Sequence, residues 1–178
     1  MALSDNEKKE LLNIARKTVE LYLKGKKVLD LKTDNPKFLE KKGVFVTLHQ
    51  GNDLRGCIGN ILPIYSLIEG VRNNALAAAF DDPRFLPLAE KELPRIKIEI
   101  SVLSVPRQTT INEITPFRDG IALEKGNLAA TFLPQVWQDL PDKSVFLSNL
   151  CLKAGLPQDS WQRAGTNFQS YRAEVFSE

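Results

Sequence analysis

The chain has 178 residues, 43% hydrophobic and 26% charged, the length and composition of one ordinary globular domain. Its 24 Lys and Arg set against 22 Asp and Glu leave a formal net charge of +2, which gives no electrostatic reason to expect nucleic acid or an anionic membrane as partner. No run approaches the ~20 apolar residues of a membrane span, residues 1–10 hold no apolar stretch of signal-peptide length, and two cysteines, Cys57 and Cys151, are too few for a secreted disulfide framework; the expected compartment is the cytoplasm.

Ser4-Asp5-Asn6-Glu7 reads as a capping box. Behind it Leu11, Leu12, Ala15, Thr18, Val19, Tyr22 and Leu23 recur at helical spacing, with Gly25 as the stop. This predicts a long amphipathic helix packed on a sheet. Asn35-Pro36 opens a short helical piece through Leu39. Val44 to His49 predicts a strand, Gln50-Gly51-Asn52-Asp53 a turn, and Leu54 to Gly59 the returning strand of a hairpin. Ser66 to Phe80 predicts a second helix, made slim by Ala75, Ala77, Ala78 and Ala79. Ile96, Ile98, Ile100 and Val102 alternate with polar residues, the strongest strand signal in the chain.

Phe117-Arg118-Asp119-Gly120 turns into a second hairpin, Ile121 to Glu124 with Leu128 to Phe132. Asp142 is expected to cap a helix through Ala154, ahead of Gly155 and Pro157. Tyr171, Ala173 and Val175 alternate in a last strand. Strands and helices mix with no repeated strand–helix–strand unit and no linker. The expectation is therefore a single α+β domain over residues 1–178 with a mainly antiparallel sheet flanked by helices.

The segment Leu54-Arg55-Gly56-Cys57-Ile58-Gly59 is the most informative. Two glycines inside a strand weaken it unless another group lies close against the backbone. Alternation puts Leu54, Gly56 and Ile58 on one face and Arg55, Cys57 and Gly59 on the other, with Arg55 and Cys57 roughly 7 Å apart. A cation beside a thiol lowers its pKa, which makes Cys57 a candidate nucleophile. The alternative is a small buried residue on a close-packed strand.

His49, the only histidine, is a candidate base at the end of the preceding strand, opposite Leu54 or Arg55; the alternative is a surface residue near the turn. Arg55 can bind a carboxylate or phosphate through its fork, or pair with Asp81 or Asp82. Asp82 and Arg84 flank Pro83 in a structured loop. Asp82 is a candidate for proton transfer or for orienting Arg55 or His49. Arg84 joins Arg55, Gly56 and Gly59 as a candidate ligand contact.

A mixed metal site of Cys57, His49 and Asp82 is poorly supported, since the ligand set is short of soft donors. No phosphate-loop or nucleophile-elbow string appears, so no cofactor is expected. Cys151 reads as core helix, and Trp137 and Trp161 as packing.

Seven ordered segments resemble one family: Gly43-Val44-Phe45-Val46-Thr47-Leu48-His49, Leu54-Arg55-Gly56-Cys57-Ile58-Gly59, Asp82-Pro83-Arg84-Phe85, Glu92-Leu93-Pro94, Ile98-Glu99-Ile100-Ser101-Val102-Leu103, Phe132-Leu133-Pro134-Gln135-Val136-Trp137 and Lys153-Ala154-Gly155-Leu156-Pro157. The chain resembles the AMMECR family, whose prokaryotic members are called AmmeMemoRadiSam system protein A, from about residue 7 onward. The resemblance implies an α+β domain with a larger and a smaller subdomain around a cleft lined by the Arg55–Gly59 segment. It also implies association with a Memo-like and a radical-SAM protein, and no particular reaction.

Two functional expectations follow. The first is an accessory component, monomer or weak homodimer, whose cleft around Arg55 and Cys57 takes a small anionic ligand or a partner segment along a sheet edge. The second is an enzyme with Cys57 as nucleophile, Arg55 as anion binder and His49 with Asp82 in proton transfer.

Overall fold

The computed structural model describes residues 2–178. In chain order it contains α1 (Asp5–Gly25), α2 (Pro36–Leu39), β1 (Gly43–Gln50), β2 (Asp53–Asn60), α3 (Leu67–Phe80), β3 (Ile96–Leu103), β4 (Arg107–Thr109), β5 (Gly120–Lys125), β6 (Leu128–Phe132), α4 (Lys143–Lys153), β7 (Asn167–Tyr171) and β8 (Ala173–Ser177). The class is α+β, as the element pattern implies. One sheet was the expectation; there are two, ordered β2-β1-β3-β8 and β4-β7-β5-β6. The ladders β1–β2, β1–β3, β4–β7, β5–β6 and β5–β7 are antiparallel. No helix among the described residues is long and apolar enough to cross a membrane.

The chain divides into two compact units: the chain up to Leu103 together with Glu174–Glu178, and Ser104–Ala173. In the first unit, the Ser4 hydroxyl accepts the Glu7 amide at 3.3 Å while the Ser4 amide donates to the Glu7 carboxylate at 2.7 Å, a cap contributing about 1 kcal/mol to α1. The helix runs through Gly25, and Lys26 takes the left-handed position (φ 56°), its amide bonded to the Tyr22 carbonyl. Leu11, Leu12, Ala15, Thr18 and Val19 are buried on a helix packed against α3 and β3. Alternate residues Val44, Val46 and Leu48 of β1 and Ile98 and Ile100 of β3 are fully buried in the core with residues of α1 and α3, and Thr47 and Ser101 on the opposite face are buried too.

The two strand glycines have packing causes. A Cβ on Gly56 would lie 2.1 Å from the Ala78 carbonyl oxygen of α3, and one on Gly59 would lie 2.3 Å from the Phe45 ring. The alanine-rich helix and the bare strand approach each other backbone to backbone, as the slim composition of α3 anticipates.

In the second unit, Trp137 stacks on Phe146 with ring centroids 3.6 Å apart and donates its indole N–H to the Asp119 carbonyl at 2.7 Å. Ile121, Leu123, Leu147, Leu150 and Cys151 complete this core. Asp142 caps α4 by accepting the Ser144 and Val145 amides. Cys151 is fully buried on α4, burial pushes its thiol pKa up, and the two cysteines are not bridged.

The single last strand expected through Tyr171, Ala173 and Val175 is two strands. β7 lies in the second sheet and β8 in the first, with Arg172 between them. Period-two alternation continues through Arg172 and conceals the change of sheet.

Candidate functional site

Strand β2 is an edge strand, so on its outer side the backbone groups need something other than a neighbouring strand. The β1–β2 register pairs Thr47 with Cys57, Leu48 with Gly56 and His49 with Leu54, leaving Arg55 as the extra residue of a bulge. The bulge interrupts strict two-residue alternation here: Leu54 falls opposite His49 rather than on the face of Gly56 and Ile58.

The Arg55 guanidinium is clamped. Nε donates to Glu92 Oε1 at 2.8 Å, and Nη2 donates to Glu92 Oε2 at 3.1 Å and to the Leu86 carbonyl at 2.9 Å. Nη1 is buried with no hydrogen-bond acceptor among the described residues, and the Phe85 ring centroid lies 5.8 Å from Cζ. The expected acid partner, Asp81 or Asp82, is in fact Glu92, 37 residues away in sequence. The Arg55 bonds hold the Glu92 carboxyl below its usual range against the opposing pull of burial.

Cys57 is half-buried, and its sulfur accepts a hydrogen bond from the Thr47 hydroxyl at 3.3 Å. Its peptide group is gripped from the loop after α3: the amide donates to Asp82 Oδ2 at 2.8 Å, and the carbonyl accepts from Arg84 Nη2 at 3.2 Å. Arg84 also donates to Asp82 through Nε at 3.0 Å, Nη2 at 2.7 Å and its own amide at 3.1 Å. Asp82 and Arg84 thus supply the acceptor and donor that a further strand would offer at Cys57.

Asp82 is 2% exposed at its side chain while Arg84 is 53% exposed. The guanidinium beside it and the Cys57 and Arg84 amides keep the Asp82 carboxyl far below the ordinary carboxylate range despite its burial. A carboxylate so stabilised is a weak base.

His49 sits opposite Leu54 on β2 and Lys97 on β3, in agreement with its expected position near Leu54. Cys57 pairs instead with Thr47. Gly56 and Gly59 face the α3 backbone and the Phe45 ring. Among the described residues no group of three or more His, Cys, Asp and Glu is arranged to hold a metal ion. Sheet-edge docking of a partner at Cys57 meets an edge whose N–H and C=O are already bonded.

Glu92, Leu86 and Thr47 are the members of this arrangement that sequence reading passed over. Glu92-Leu93-Pro94 stood among the family-like segments, but only the fold brings Glu92 to Arg55. The loop that Arg55 and Glu92 hold exposes Leu86 to 84%.

The comparisons agree with this architecture. The AMMECR1 family model matches residues 12–176. A Thermococcus kodakarensis protein named TK0174 is 41% identical over 94% of this chain and 88% of its own length, and a protein of Methanothermobacter thermautotrophicus is 38% identical over 99% and 96%. The crystal structure of an uncharacterised protein, PH0010 of Pyrococcus horikoshii, superposes with a TM-score of 0.94 at 38% identity, covering 99% of this chain and 93% of that one. Nearly the whole chain, including the clamped hairpin and the loop that grips it, belongs to the AMMECR1 family.

Proposed function

We propose that this protein is a non-catalytic binding component, acting in the cytoplasm as an accessory to the Memo-like and radical-SAM proteins that the family resemblance implies. In this reading the Asp82–Glu92 loop and the adjoining β2 hairpin form the surface that receives an apolar segment of the partner. One observation carries it: the charged groups around Cys57 are already committed to holding this loop and strand together. Arg55 is neutralised by Glu92, and Asp82 is saturated by Arg84 and the Cys57 amide. What the clamp presents to solvent is Leu86, one large exposed side chain on a fixed backbone.

Anchors of this kind dominate interfaces when the surrounding loop is pre-organised. The test is co-purification of the chain with the Memo-like and radical-SAM proteins, comparing wild type with Leu86→Glu. Loss of association at unchanged thermal stability is expected; unchanged association sinks this surface as the contact.

A second reading, Cys57 as nucleophile, draws support from the Thr47 hydroxyl aimed at its sulfur. The binding reading expects iodoacetamide to alkylate Cys57 no faster than a peptide thiol at the same pH. Faster alkylation would put the nucleophile first.

A further inference from the structure

We infer that the second unit carries a site for the phosphoryl group of a small phosphate monoester, with Arg107 and Arg172 as its principal contacts. A cavity of about 410 Å³ lies within this unit, lined by Ser104, Arg107, Asp119, Ser170, Tyr171 and Arg172, a volume in the range of small-molecule sites.

The backbone fixes these positions relative to one another. Arg107 lies opposite Ser170 in the β4–β7 ladder. Ser104 and Arg172 are tied by two bonds: the Ser104 amide donates to the Arg172 carbonyl at 2.9 Å, and the Arg172 amide donates to the Ser104 hydroxyl oxygen at 3.0 Å. That second bond uses the Ser104 oxygen as acceptor and leaves its proton available to an anion.

Charge then selects the ligand. Arg16, Arg55, Arg84, Arg118 and Arg163 each reach a carboxylate. Both arginines of this cavity are exposed, and among the described residues neither guanidinium has a hydrogen-bond or ion-pair partner. The one carboxylate in the lining, Asp119, is answered by Arg118 Nε at 3.4 Å and by the Thr115 amide at 2.9 Å, so it neutralises neither. Two uncompensated cations suit a phosphate monoester, which carries close to two negative charges at neutral pH. Two forked guanidiniums and the Ser104 and Ser170 hydroxyls match the several oxygens of a tetrahedral phosphoryl group better than a planar carboxylate. The cavity leaves room for the ester's organic body.

The experiment is a titration of the full chain with glycerol 3-phosphate, inorganic phosphate, succinate and glycerol at fixed ionic strength, followed by amide NMR shifts. Saturable shifts centred on Ser104, Arg107, Ser170 and Arg172 are expected with glycerol 3-phosphate, with inorganic phosphate weaker and glycerol silent. Arg107→Gln and Arg172→Gln should each weaken binding at least tenfold without moving the thermal midpoint. Should either fail to fold, Ser104→Ala serves, with a smaller loss expected. The inference is overturned by absent saturation, by shifts scattered over exposed lysines, by equal binding of succinate, or by full binding in the variants. Leu86→Glu should leave this titration unchanged, so its outcome is separate from the partner-binding proposal.

Discussion

Arginines on β2 and its covering loop lead different lives from the arginines of the second unit's cavity. Arg55 and Arg84 each have a carboxylate supplied by the fold, Glu92 and Asp82, and each also bonds a backbone carbonyl. Arg107 and Arg172 are exposed, and among the described residues no acid is brought to their guanidiniums. The same side chain is thus architectural in one place and available in the other, and the deciding variable is whether the chain provides its counter-charge. An arginine in a prominent motif is not, on that account, an anion site.

The largest test of this contrast is Glu92→Ala. The Arg55 side chain is 13% exposed, so removing its acid leaves a mostly buried cation unpaired, and a loss of about 3 kcal/mol in urea unfolding is expected. Asp82→Ala should cost less, about 2 kcal/mol, since half-exposed Arg84 rehydrates and the main penalty is the Cys57 amide left without its acceptor.

Acid should act on the same two groups. Asp82 and Glu92 both have lowered folded-state pKa values, so the unfolded chain binds more protons than the folded one as pH falls through the carboxylate range. Their stabilisation is present above about pH 5 and declines below it. Unfolding free energy measured against pH should fall on acidification, and the fall should be shallower in Asp82→Ala and Glu92→Ala. Smallest of all, Arg107→Gln should change stability by less than about 0.5 kcal/mol. A loss of 2 kcal/mol there would erase the distinction between the two pairs of arginines.

Local chemistry was readable from the residues wherever it acts over a few positions. The Ser4 and Asp142 caps, both hairpins, the alternation of β3 and the slim α3 all depend on neighbours within a turn or two. The close approach demanded by the strand glycines was legible as well, although what approaches Gly56 is Ala78 of the protein itself.

Three features lay beyond what local pattern carries. Glu92 meets Arg55 only after α3 and its loop have folded back. The bulge at Arg55 depends on how the hairpin closes, and one extra residue moves Leu54 from the face of Gly56 and Ile58 to a place opposite His49. The split of the last strand required knowing which sheet each half joins, information that alternation alone lacks. The cavity arginines gave no signal, because two exposed arginines 65 positions apart resemble any others until β4 and β7 pair.

The return of Glu174–Glu178 to the first unit has a consequence for synthesis. Strand β8 completes that unit's sheet, and Glu178 accepts from the Arg16 side chain and from the Ile98 amide. On the ribosome, helix α1 emerges first, and its Arg16 waits through the whole of Ser104–Ala173 before Glu178 exists. The nascent amino-terminal body must therefore persist with an open β3 edge, a vectorial delay during which the middle unit has time to fold alone.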